Sequence, residues 1–480
     1  MRNQTRPVTM LCIAALLSMA WTSPSGTVST TPWIPTIQRT TLENGLTIFT
    51  SHVTNNGMAT VGVLIGAGSA CDPMGKAGLA HLVASSIMRG PTSGKPEDFA
   101  SRLNLICSQL EIEVSRDASL FLFELPSSNI PELMGLVSQA ITAPSLTQAT
   151  LEAVRDQALV TLESKGNEIG YVLDRNLHDF LFVGHPYGTG TWGTEASLKN
   201  IAPEDLATFH RDYYGANNAA IAVVGDVQGI DVPAIVKNDL GGWRKANKTA
   251  PTIATPAMPE EMRIRLVNRA GSNLTHVCLA RATGGMRSAE YATTLVLANI
   301  LAGGPEARLC RELATNLRGC YNVRATVEPG AVNTLRIEAT CRDKDTPAFV
   351  TQVNRVLNRV AEDGVTAEEL NLAQKRIRLN TLAKMVTPNE LTRTILTWHA
   401  HQMDPTQPQR FLEDIDRLTT AAVSATAKGL LRPDRFALVV IGDRAAIAED
   451  LRRFADVEVV EFAGEIPVPA MRTVLKKLTK

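Results

Sequence analysis

The sequence predicts an α+β fold built from two homologous domains, each a mainly antiparallel sheet covered by helices. Three observations carry that expectation. Strand-like runs come in neighbouring pairs and are followed by runs of helices, rather than alternating with them one by one. Two landmarks recur at nearly one spacing. Leu79-Ala80 and Leu297-Ala298 stand 218 residues apart, and the similar runs 220–226 and 437–443 place Gly225 and Gly442 217 apart. Between the copies, residues 239–259 carry Gly241, Gly242, Pro251, Pro256 and Pro259, the composition of a connection.

In the first copy the apolar run 60–69 reads as a strand leading into a helix with Leu79, Ala80 and His81. Residues 106–114 and 120–125 read as neighbouring strands joined by the polar Ser115-Arg116-Asp117-Ala118. Helices follow near 131–141 and 147–164. In the second copy 275–285 leads to a helix with Leu297, Ala298 and Asn299. Strands 321–327 and 334–341 pair around Glu328-Pro329-Gly330-Ala331, and helices follow through 347–361, 367–384 and 390–402. Pro347 suits a first helical position, with Thr346 before it as N-cap. The resulting division is an N-terminal domain over 35–238, a linker over 239–260, a C-terminal domain over 261–470 and a basic tail over 471–480.

The chain of 480 residues, 44% apolar and 20% charged, holds material for two to four cores. Lys+Arg and Asp+Glu are both 48, so the chain lacks the basic excess of a nucleic-acid binder. Arg472, Lys476, Lys477 and Lys480 read as a solvated tail. At the N-terminus Arg2 and Arg6 precede a short apolar run over 8–21, and Ser18-Met19-Ala20 is a small-x-small cleavage pattern. Residues 1–21 therefore read as a signal peptide, and 22–34 as a Ser/Thr/Pro/Gly linker. An uncleaved anchor is the other reading. The expected location is exported, periplasmic or extracellular. Past the signal six cysteines remain: Cys71, Cys107, Cys278, Cys310, Cys320 and Cys341. An oxidising compartment permits disulfides, but fifteen full pairings leave the choice open.

The stretch Gly78-Leu79-Ala80-His81-Leu82-Val83-Ala84-Ser85 has the frame of the zinc-peptidase helix H-x-x-E-H. In that helix two imidazoles four apart share a metal, and the Glu takes a proton from the metal-bound water. Here the first His stands, but Ala84 fills the Glu position and Ser85 the second His position. Ala84 cannot accept a proton, and Ser85 is a poor neutral ligand. His81 alone reads better as a packed helix residue. His185 reads as part of a turn, and His52, His178, His210 and His276 as solvated or packed. His399 and His401, two apart on a helix, face different ways and read as incidentally exposed.

An ordered set of further motifs sharpens the frame. These are Leu42-Glu43-Asn44-Gly45-Leu46, Ala67-Gly68-Ser69, Gly184-His185-Pro186-Tyr187-Gly188 with Trp192-Gly193-Thr194, 213–218 with 222–226, and Gly303-Gly304 with Ala307-Arg308-Leu309 and Tyr321. From about residue 40 to about 462 the chain resembles the pitrilysin/insulinase-type zinc peptidases, in the branch of mitochondrial processing peptidase and the bc1 core proteins. The resemblance implies a third ligand position at Thr161, 80 residues past His81. Glu163 lies two helical positions on and points elsewhere. The implied site is thus His81, Ser85 and Thr161 without a base, a non-catalytic member in which no zinc is expected. It also implies an Arg and a Tyr that hold peptide. Tyr321 occupies the Tyr position; Ala314 stands at the Arg position by spacing, with Arg318 nearby as a substitute.

Relatives of this length form half of a clamshell. The resemblance therefore implies an exported, inactive subunit that pairs with an active zinc-peptidase paralogue, or with itself, and helps form a chamber for unfolded peptides. A standalone structural or binding protein is the second reading. An active metalloendopeptidase with unusual ligands is the third.

Overall fold

The computed structural model describes residues 34–249, 251–256, 260–317 and 319–462. The expected signal, the basic tail and Arg318 lie outside the described residues. The strands are β1 (Gln38–Thr41), β2 (Thr47–His52), β3 (Met58–Ile65), β4 (Gln109–Val114), β5 (Ser119–Pro126) and β6 (Ala219–Gly225) in the first half. The second half holds β7 (Arg263–Asn268), β8 (Leu274–Gly284), β9 (Cys320–Glu328), β10 (Val332–Arg342), β11 (Ala437–Gly442) and β12 (Val457–Glu461). They form two six-stranded sheets, ordered β1-β2-β6-β3-β5-β4 and β12-β7-β11-β8-β10-β9. Five positions agree strand for strand, as the repeated landmarks predict. The sixth differs: antiparallel β1 precedes the first sheet in sequence, whereas parallel β12 follows the second. Pairs β2–β6 and β7–β11 are also parallel, and the remaining pairs are antiparallel.

One face of each sheet carries the helices of its own half. In the first half Leu79, Leu82, Val83, Leu133, Leu151 and Val154 pack with Val61, Val63, Phe121 and Phe123. The other face is closed by a helix from the opposite half. Leu391, Ile395, Leu396 and Trp398 of the Pro388–Ala400 helix lie on Phe49, Leu122, Ala220 and Ala222 of the first sheet. Reciprocally, Leu177, Phe180 and Leu181 of the Ile169–Leu181 helix lie on Cys278, Ala280, Val439 and Ile441 of the second. Each fully buried side chain of this kind contributes roughly 1.5–3 kcal/mol. The fold class is as predicted, but both sheet faces are covered. This is why β6 and β11 are apolar and buried throughout rather than alternating. The crossing brings backbones close. A Cβ on Gly62 of β3 would lie 2.6 Å from Leu396 Cδ1 and from Thr392 Cγ2, so a side chain there would have to push both aside.

Local differences from the sequence reading have simple causes. Ile106 ends the Pro96–Ile106 helix instead of starting a strand, because Phe99, Leu103 and Ile106 form one buried helical stripe. Thr346 is the first residue of its helix and Asp345 the N-cap. Residues 241–256 between the halves lack helix and strand wherever they are described. Cys320 and Cys341, partners in the β9–β10 register, are joined as a disulfide. Cys71, Cys107, Cys278 and Cys310 are free. Among the described residues, no helix is long and apolar enough to cross a membrane.

Candidate functional site

The helix Leu79–Ile87 is held at its start by a carboxylate from outside it. Asp72 accepts the backbone N–H of Gly78 at 2.7 Å and of Ala80 at 2.8 Å, satisfying donors that a helix N-terminus leaves open. His81 and Ser85, four apart, share one face. They line a cavity of about 590 Å³ together with Thr161 of the Gln148–Lys165 helix. The structure thus brings onto one cavity wall the three positions that the family resemblance implied. Ala84 is fully buried in the core of the first half and is not on the cavity wall. Glu163 is exposed, as its angle around the helix predicts.

The groups do not make a zinc shell. Zinc needs three or four imidazole, thiolate or carboxylate donors. The cavity presents one imidazole, the Ser85 hydroxyl and the Thr161 hydroxyl, which already donates to the Gln157 carbonyl at 2.9 Å. The carboxylate on its wall, Glu97, belongs to the exposed start of another helix. His81 is 9% exposed, and within the described residues its ring makes no hydrogen bond. Its contact is the indole of Trp192, with ring centres 3.9 Å apart and planes tilted by 41°. Burial, and then the charge of Lys165, lower its pKa to about 4, so the ring is neutral at pH 7.

Trp192 reaches His81 because Gly193 lets its loop lie against the residues before the helix. Gly193 has φ +72°, and a Cβ there would collide with the Ala77 carbonyl. Ser197 Oγ fixes the same approach by donating to the Ala77 carbonyl at 2.7 Å. The sequence reading gave Trp192 only as a motif landmark and did not single out Lys165. The one available signal was that Lys165 falls one helical turn beyond Thr161.

The cavity borders a free edge. Among the described residues β4 pairs with β5 on one side only, and its Leu110 and Ile112 line the cavity. Glu111 and Glu113 point the other way, where both pair with Arg393 of the crossing helix. Tyr321 lies on β9, is 43% exposed, and is not on the wall of this cavity.

The scattered histidines resolve differently. His185 caps the turn after it, accepting the Tyr187 N–H at 3.1 Å, and its Nε2 lies 2.8 Å from the Ala254 carbonyl. His399 and His401 are not incidentally exposed. His399 packs edge-on to Phe49, and His401 is 9% exposed and 3.9 Å from Asp117, because their helix is sandwiched between the halves. His178 is 2% exposed and sits 3.3 Å from Asp174 and 3.7 Å from Glu328. Among the described residues these three are the group whose ligand atoms lie in mutual reach of one metal. Their carboxylates are already matched by guanidinium groups. Arg116 and Arg336 reach both Asp174 and Glu328 at 2.9–3.2 Å. Against the upward push of burial, His178, Arg116 and Arg336 hold the Asp174 carboxyl well below the usual range. This is an ion network joining the halves.

Comparison with known proteins gives the family and agrees with the fold. Residues 47–195 match the insulinase family, peptidase family M16, and residues 200–377 match the peptidase M16 inactive domain. An uncharacterized zinc protease of Mycobacterium tuberculosis is 25% identical, over 84% of this chain and 93% of its own. The mitochondrial-processing peptidase subunit beta of Saccharomyces cerevisiae is 19% identical, over 86% and 93%. Among solved structures, a peptidase M16 inactive domain from Pseudomonas fluorescens superposes with TM-score 0.76 at 20% identity, covering 86% of this chain and 99% of that one. The periplasmic protease PqqL of Escherichia coli superposes with TM-score 0.72 at 16% identity, covering 90% of this chain but 52% of PqqL.

Proposed function

The chain belongs to peptidase family M16, and from that premise we propose that it is a non-catalytic member, the inactive half of a paired peptidase. One observation carries the reading. The cavity at His81, Ser85 and Thr161 keeps its place in the fold, yet its donors are one neutral imidazole and two hydroxyls. No group at the Ala84 position can move a proton. Hydrolysis is therefore supplied by a second chain with an intact H-x-x-E-H helix, and this chain supplies wall. The half-length match to PqqL fits such an arrangement, in which a complete chamber needs two units of this size.

The wall is suited to extended peptide. Edge strand β4 leaves backbone donors and acceptors unpaired, and Leu110 and Ile112 beside it present apolar surface to the cavity. An incoming segment pairs with β4 and places alternate side chains in the cavity. Tyr321 and Arg318 are the second proposed contact. Export is supported by the N-terminal signal pattern and by the Cys320–Cys341 disulfide, which an oxidising compartment maintains.

Purification alone and with candidate active paralogues tests the reading. The expected result is no peptidase activity alone and a stable complex with an active chain. A monomer in native extract, or near-stoichiometric zinc with activity abolished by His81→Ala, would overturn it. Binding of an unfolded fluorescent peptide tests the wall. Leu110→Asp, at a side chain 36% exposed, is expected to weaken binding at least about tenfold through lost apolar contact.

A further inference from the structure

The lost ligands do not account for everything that now faces His81. Lys165 follows Thr161 by one helical turn, so the two share a face of the Gln148–Lys165 helix. Its Nζ lies 5.2 Å from the centre of the Trp192 ring and 5.8 Å from that of Tyr171. Trp192 in turn covers His81. The nearest carboxylate is Glu168, 3.9 Å away and 58% exposed, against 27% for Lys165. The ammonium is thus held mainly by two aromatic faces, which stabilise a cation without cancelling its charge.

We infer that Lys165, caged by Trp192 and Tyr171, excludes divalent metal from this cavity independently of the missing ligands. Lys165 lies outside the lining of the cavity, and its charge reaches the site across Trp192, which is 5.2 Å from Nζ and 3.9 Å from the His81 ring, so a metal bound between positions 81, 85 and 161 would feel that positive charge. In a partly buried site that repulsion is only weakly screened. A lysine ammonium draws a carbonyl oxygen toward it but offers no coordination position for water. The inference rests on reading His81, Ser85 and Thr161 as the former ligand frame.

Zinc affinity in a restored frame tests it, measured by competition with a chromophoric chelator and by metal analysis of the full chain. The Ala84→Glu, Ser85→His, Thr161→Glu triple variant is expected to take up zinc weakly. Adding Lys165→Met is expected to tighten binding on the order of a hundredfold, whereas Lys165→Arg, which keeps the charge, gives no gain. Equal affinity with Lys, Arg or Met at 165 would overturn the inference while leaving the ligand frame intact. Absence of zinc even with Lys165→Met would mean that the frame itself is wrong. Because Ala84 is fully buried and its substitution can unfold the helix, Ser85→His alone, with and without Lys165→Met, provides the same comparison using cobalt. A gain confined to the Lys165→Met background is expected there; identical affinities would count against the cage. Trp192 emission supplies a readout independent of activity, since metal bound beside His81 alters the indole's surroundings.

Discussion

The seam between the halves and the cavity at His81 both bury ionisable side chains, and they are built on opposite terms. At the seam between the halves every charge has a matched partner. Arg116 and Arg336 clamp Asp174 and Glu328, and Arg336 and Arg324 both reach Glu338. At the cavity, a lone imidazole lies under an indole, and a lysine sits between rings with one distant carboxylate. The seam is costly to disturb and the cavity is not. Side chains that hold the two sheets together are fully engaged, whereas His81 at the cavity meets an indole instead of a charged partner. The proposed role as chamber wall asks for just this division, since a wall must keep its shape but need not react.

The contrast can be broken most directly at Arg336, which is 13% exposed at its side chain. Arg336→Met leaves Asp174, Glu328 and Glu338 short of a partner and is expected to destabilise by about 3–5 kcal/mol, read by urea unfolding. A loss under 1 kcal/mol would mean that the seam is not a saturated network. The crossing helices come next. Leu396→Ala and Leu177→Ala are each expected to cost about 2–5 kcal/mol, as much as a core leucine, because both side chains are fully buried against the opposite half's sheet. Separate unfolding of the two halves in calorimetry would contradict that coupling.

His81 gives a smaller effect with a sign. Its folded pKa, about 4, lies below the ordinary 6.5, so between these values the unfolded chain binds more protons. Stability is then lost as pH falls from about 6.5 to 4, by up to about 3 kcal/mol. His81→Leu should flatten that part of the profile, and an unchanged slope would show that the ring is not shielded. Smallest is Ser85→Ala, expected to change stability by under about 0.5 kcal/mol, because its hydroxyl makes no hydrogen bond within the described residues. A larger loss would reveal a role for Ser85 that the cavity does not show.

Much of the architecture was legible in the chain. The spacing of Leu79 to Leu297 anticipated the repeated strand order, and the pattern of 120–125 and 334–341 anticipated β5 and β10. The family resemblance also placed Thr161 near His81, and the two residues line one cavity. Failures share a cause. His399 and His401 look like surface residues when their helix is read alone, because local periodicity reports that a face is buried but not against what. The Arg116–Glu328 contact spans 212 positions, and no local pattern carries it.

The duplication, the fold class and the identities of the side chains at positions 84, 85 and 161, on which the proposed non-catalytic role rests, could all be read from the chain alone. Those follow from side-chain identity and regular spacing, which the chain states directly. What the chain did not state, and folding settled, is that each half lends a helix to the other's sheet, that arginines from both halves close the seam, and that Trp192 covers His81 with Lys165 against the indole. Each of these depends on segments distant in sequence, or joined by a loop, meeting in space. Their meeting is set by the packing of whole sheets and helices rather than by any local run of residues.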